Sequence, residues 1–154
     1  MSSTKSYFES IDKVCLQIRN FYTLFLESQM EPIKALSGLL LVKSTNIIIK
    51  LTTELVLGEV PPVTEKTSEV KLTKIKEPRN RFDNVCLLIV NIFKLASITE
   101  DEQKRNELLL LLNRAENIYL DLVYSTVFND DIDYDCVDKE LMKIKEKLQK
   151  LIQI

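Results

Sequence analysis

Histidine and tryptophan are absent from this 154-residue chain, glycine occurs twice and proline four times. Without an imidazole there is no Ser-His or Cys-His nucleophilic pair, none of the usual acid–base catalysis near neutral pH, and none of the commonest side chain for binding transition metals. The two glycines, Gly38 and Gly58, form neither a GxGxxG turn nor a P-loop, so those phosphate cradles are missing as well. Cysteine is scarce: Cys15, Cys86 and Cys136 are far apart, odd in number and never in a CxxC, which suits a reducing compartment and gives no zinc-ligand spacing. The longest uncharged apolar run, residues 85–93, is too short to cross a bilayer, and MSSTKSYFES lacks the apolar core of a signal peptide. Nor does one sign of charge dominate. With 21 basic and 23 acidic residues the net charge is −2, which provides no general attraction to nucleic acid or anionic lipid. The expectation is an intracellular protein, cytoplasmic or nuclear, that is not an enzyme and has no cofactor, metal, nucleic-acid partner or transmembrane segment.

What is present is an apolar fraction of 45% beside a charged fraction of 29%, the balance of a globular chain long enough to form one core. Apolar residues recur in steps of three and four through most of it. Phe8, Ile11, Cys15, Ile18, Tyr22 and Phe25 mark a helix over 7–28, opened by Ser6 and Glu9 at capping-box spacing. Pro32 suits the first turn of a second helix over 32–57, which stops at Gly58. A third helix is predicted over 80–97, a fourth over 100–127 with Thr99 and Glu102 as its capping box, and a fifth over 135–152 with a seam of Val137, Leu141, Ile144, Leu148 and Leu151. Between the second and third helices, residues 58–78 hold three prolines and evenly mixed charge. They read as an exposed connection, within which VKLTKIK allows a short extended segment. The predicted fold is an all-α, single-domain antiparallel bundle of about five helices: a helical pair (7–57), an exposed loop (58–78) and a three-helix unit (79–153).

The fourth helix contains five consecutive leucines, Leu108 to Leu112. Successive helical residues turn by about 100°, so these five point all around the axis, whereas a peripheral helix of a small bundle needs only one apolar stripe. The second and third helices are similarly overloaded, at residues 39–42, 47–49 and 86–90. Five helices can surround only about one of their number, since each covering helix must lie about 8 to 10 Å away. An uncovered apolar face is therefore expected, to be filled by a partner helix or a second copy with anchors at i, i+3, i+4 and i+7. Ile48, Leu88, Leu109 and Leu110 are the predicted lining. The rival reading is an internal pocket for a small apolar ligand, with Asn46, Asn91 and Asn113 as its polar groups.

Two charged patterns have specific chemical readings. Asp131, Asp133 and Asp135 match the first three ligand positions of a calcium loop, but Cys136 stands where the turn glycine belongs and Met142 where the closing glutamate belongs. The acidic run is better placed to cap the fifth helix. Lys71, Lys74, Lys76, Arg79 and Arg81 beside Phe82 have the composition of a nucleic-acid contact, but Glu69, Glu77 and Asp83 interleave with them, as in a solvated loop.

Residues 94–121, with an acidic turn at Glu100 to Glu102, then Lys104-Arg105, then Leu112-x-Arg114-Ala115-Glu116, resemble the last helical hairpin of the MIT domain, a three-helix module of ESCRT and autophagy adaptors. The resemblance covers under a fifth of the chain. It implies a peptide-binding adaptor in membrane trafficking or autophagy.

Overall fold

The computed structural model describes residues 4–59, 72, 73 and 79–152. Five helices follow in order: α1 (Thr4–Glu27), α2 (Glu31–Val56), α3 (Arg81–Ile98), α4 (Glu102–Val127) and α5 (Tyr134–Ile152). They pack into an all-α bundle, and no strand occurs among the described residues. Most of the 58–78 connection, including most of VKLTKIK, lies outside the described residues. Leu72 and Thr73 are described, half-buried and without regular secondary structure.

The helix ends show which local groups satisfy the backbone. α2 carries Pro32 in its first turn and ends in a Schellman motif: Glu59 N–H donates to Glu54 O at 2.8 Å, and Gly58 N–H to Leu55 O at 3.2 Å. Gly58 adopts φ of 73°, where a side chain would be strained. The carbonyl of Leu55 also accepts from the Arg105 guanidinium at 3.0 Å, placing a cation at the negative end of α2. Asn80 caps α3 by accepting from Asp83 N–H at 3.1 Å. Two capping expectations are corrected. α1 already runs from Thr4, so Ser6 is an interior position rather than a cap. At the next hairpin the cap is Asp101, whose carboxylate accepts from the N–H groups of Gln103 and Lys104, while the Thr99 hydroxyl donates back to Leu95 O at 2.6 Å and closes α3. A carboxylate next to the first turn outcompetes a hydroxyl two residues further away, whose nearest free acceptor is the preceding helix.

The centre of the bundle is α3, which contacts all four other helices and buries thirteen of its eighteen residues. Its pairing with α1 is antiparallel: Arg19 reaches Asp83 near one end and Asp12 reaches Lys94 near the other. Phe82 lies between Tyr22 of α1, stacked at 4.1 Å between ring centroids, and Tyr119 of α4, tilted at 5.2 Å. Such aromatic pairs contribute about 0.5 to 1.5 kcal/mol beyond their burial. α5 lies outside and buries only Val137, Leu141, Ile144 and Leu148.

The leucine run of α4 is mostly enclosed: Leu108, Leu111 and Leu112 are buried, Leu109 is partly buried and Leu110 is 66% exposed. The larger uncovered face belongs to α2, where Ile33, Leu36, Leu39, Ile47, Ile49 and Val56 are all exposed. Ser37, Ser44 and Thr45, on the buried side of α2, return their hydroxyl protons to carbonyls of the previous turn, so a polar residue there needs no outside partner.

α1 approaches α2 closely at Gly38, where an added Cβ would lie 2.8 Å from the Phe25 ring. Gly38→Ala would gain about 1 kcal/mol of helix propensity and incur an overpacking cost of about 1 to 3 kcal/mol. A net loss of about 1 kcal/mol is expected in denaturant unfolding. Adding Phe25→Leu should reverse much of it; an unchanged loss in the double variant would mean that the two helices do not meet through this ring.

Candidate functional site

α4 and α5 diverge enough to leave a surface groove of about 620 Å³ lined by Glu107, Leu110, Leu111, Asn113, Arg114, Lys147, Lys150 and Leu151. Its existence follows from the two sequences. α5 has one apolar stripe and spends it on the core, whereas α4 carries a surplus of leucines, so Leu110 has no helix opposite it. At one end Arg114 Nε donates to Glu140 Oε1 at 2.7 Å and ties the walls together. Toward the C-terminal part of α5, Lys147 and Lys150 form the rim; neither makes an ion pair among the described residues. The groove thus has an apolar floor and a basic edge.

The four sequence-predicted lining residues separate. Leu110 lines this groove, and Leu109, its neighbour, packs partly against the core. Ile48 and Leu88 are buried in the core. Ile48 lines a partly open apolar cavity with Ile11, Cys15, Val90 and Tyr119. That cavity measures about 20 Å³, room for roughly one water molecule. The three asparagines do not converge on it. Asn46 and Asn113 are exposed, and Asn91 holds the connection by a pair of hydrogen bonds: Thr73 N–H donates to Asn91 Oδ1 at 2.7 Å and Asn91 Nδ2 donates to Thr73 O at 3.0 Å. Sequence reasoning missed Leu111, Lys147, Lys150 and Leu151, because the wall that α5 contributes depends on which turn of α5 meets α4.

Two partly buried polar junctions flank α3, with Lys94 and Asp83 as their buried members. Lys94 donates to both oxygens of Asp12, at 2.9 and 3.0 Å, and to the Thr73 hydroxyl at 2.9 Å. Asp83 accepts from Arg19 Nε at 2.8 Å, from Arg79 N–H at 2.7 Å and from Arg79 Nε at 3.3 Å. Burial pushes the Asp83 carboxyl up, but the Arg19 bond and then the Arg79 N–H outweigh it and hold the group below the usual carboxylate range. Burial pushes the Cys86 thiol well up, which keeps it protonated beside the equally buried Cys15.

The charged patterns resolve structurally. Asp133 Oδ1 accepts from the N–H groups of Asp135 and Cys136, capping α5. No three His, Cys, Asp or Glu side chains are placed to hold a metal among the described residues. Phe82 is fully buried, Arg79 is paired with Asp83, and Arg81 is paired with Asp138 and lies 4.7 Å from the Tyr134 ring. Lys71, Lys74 and Lys76 lie outside the described residues. By length and composition α2 meets the requirement for a helix that crosses a membrane, although its longest runs of apolar residues are interrupted by Lys43 and Lys50. The chain matches no family model, no curated protein and no solved structure. The likeness of residues 94–121 to an MIT hairpin therefore rests on those residues alone, which span the end of α3 and most of α4.

Because the folded-state value of Asp83 is depressed, its contribution to stability is fully present above the unfolded value of about 4 and is lost as pH falls below it, the unfolded chain taking up the proton first. Asp83→Asn should remove that part of the acid sensitivity in unfolding measured between pH 6 and 3. At neutral pH it should cost about 3 kcal/mol by leaving Arg19 without its carboxylate. A variant retaining the wild-type acid profile would show that Asp83 is not a group whose protonation weakens the fold.

Proposed function

We propose that this chain is a non-enzymatic protein-interaction module, an adaptor or subunit of an intracellular complex, that binds a partner helix in the α4–α5 groove. One observation carries the reading: Leu110, 66% exposed, lies in a concave surface between two helices with Leu111 and Leu151 beside it. A helix docking there can bury its own anchors and Leu110 together, and complete burial of a leucine contributes roughly 1.5 to 3 kcal/mol. The outward face of α2 is also apolar, but it is the convex side of one helix and carries Lys43 and Lys50 on the same side as Leu39. It supports a further contact rather than a groove. An MIT-like adaptor role in membrane trafficking or autophagy is a narrower version of the same reading and draws only on residues 94–121. Binding of a small apolar ligand has in its favour only the cavity beside Ile48, whose size admits no organic molecule without rearrangement.

Neighbouring leucines separate core from interface. Leu112 is 2% exposed, so Leu112→Ala should cost about 2 to 5 kcal/mol of stability. Leu110→Ser should change stability by no more than about 0.5 kcal/mol, yet weaken association with a co-purified partner by about 2 kcal/mol. Unfolding curves and binding isotherms on the same two variants provide the check. If Leu110→Ser leaves every association intact, the groove is not the binding surface.

A further inference from the structure

The reading above names a surface; its charge names the occupant. We propose that the α4–α5 groove selects an acidic amphipathic helix of a partner protein, an inference that rests on the groove being the binding site. Three of the lining side chains are basic, Arg114, Lys147 and Lys150, and Glu107 is the one carboxylate among them. Arg114 is already engaged by Glu140, so the charge left for a ligand is that of Lys147 and Lys150 on the α5 side against Glu107 on the α4 side. These two are exposed, three residues apart on α5, and therefore on one side of it. The exposed Lys139 and Lys143 extend the same side at four-residue intervals, with the exposed Glu146 set between Lys143 and Lys150. The net charge of the chain is −2, which means this is a local reversal of sign rather than a general excess of lysine.

The apolar floor and basic rim together define the ligand. Leu110, with the partly buried Leu151 near it, requires apolar anchors, and the lysines require carboxylates flanking those anchors on the side facing α5. The α4 wall from Glu107 to Arg114 is about two helical turns long, so the docked segment is a helix of about two to three turns. Its charge fixes orientation and speeds encounter, while its apolar anchors provide most of the affinity. Binding should therefore weaken with added salt but survive it.

The test is a displayed library of amphipathic helices with leucine at i, i+3, i+4 and i+7 and a free choice of Glu, Gln or Lys at the flanking positions, selected against the full chain. The expected outcome is a Glu-rich pool whose members lose affinity on Leu110→Ser. They should also lose about tenfold on the double substitution Lys147→Glu and Lys150→Glu, with circular dichroism showing both variants folded. A pool rich in Gln or Lys that still depends on Leu110 would overturn the acidic partner and leave the groove reading standing. Binders indifferent to Leu110, or no binders at all, would overturn both. Phosphatidylserine vesicles form the last arm: binding lost in the Lys147→Glu and Lys150→Glu variant but retained in Leu110→Ser would assign the lysines to a membrane surface instead.

Discussion

Complete enclosure of α3 is the constraint from which the rest of the arrangement follows. A helix that buries thirteen of eighteen residues needs neighbours on every side, and among the described residues four other helices provide them. Each neighbour then has an outer side with nothing beyond it. α5, with lysines and glutamates outside its single stripe, meets this without difficulty. α2 does not, and Leu36, Leu39 and Ile47 are left facing outward. Enclosure also determines the polar chemistry, because Asp83, Asn91 and Lys94 lie on the enclosed helix and must be matched from outside it. Arg19 and Asp12 of α1 and Thr73 of the connection do so. Buried groups of this kind are costly when unmatched, so α1 and residue 73 are required parts of the core rather than additions to it.

Much of this architecture was legible before the structure. The three-and-four spacing of apolar residues located all five helices to within a few residues, because periodicity reports a face and a face is what a bundle buries. The stripe Leu108, Leu112, Ala115, Tyr119 and Leu122 is buried throughout for the same reason. Legibility ended where the answer depended on neighbours. Every residue of a run such as Leu108 to Leu112 has the same local description, and only the position of α5 distinguishes Leu111 from Leu110. Ile48 and Leu88 looked equivalent to Leu110 as surplus apolar residues, but they sit on the sides of α2 and α3 that face the interior. The capping groups were misread for a more local reason. Thr99 and Asp101 are both good caps, and the choice between them depends on where α3 releases its last carbonyl.

The groove and the core are products of one stretch of sequence. α4 must bury Leu108, Leu111 and Leu112 to cover α3, and in doing so it turns Leu110 toward the edge that α5 leaves open. A shift of α5 by one turn would close the groove or widen it, and the Arg114–Glu140 pair opposes such a shift. The floor is backed by the buried Leu111 and Leu112, whereas the lysine rim consists of long exposed side chains. On the proposed reading, a floor backed by core residues limits the ordering that a docking helix must impose on this chain, which lowers the entropic cost of binding.

The two junctions between α1 and α3 carry opposite polarity. α1 presents an acid at position 12 and a base at 19, and α3 presents an acid at 83 and a base at 94. In the observed antiparallel pairing each acid meets a base. If α1 were laid against α3 in the opposite sense, Asp12 would meet Asp83 and Arg19 would meet Lys94, burying like charges at both ends. The α1 stripe alone would accept either direction, since Phe8, Ile11, Ile18 and Tyr22 are arranged nearly symmetrically about Cys15. The four charges thus act as a key that admits one relative direction of the two helices. They also tie sequence positions together: a change of sign at any one of them can be tolerated only if its partner, more than sixty residues away in the chain, changes as well.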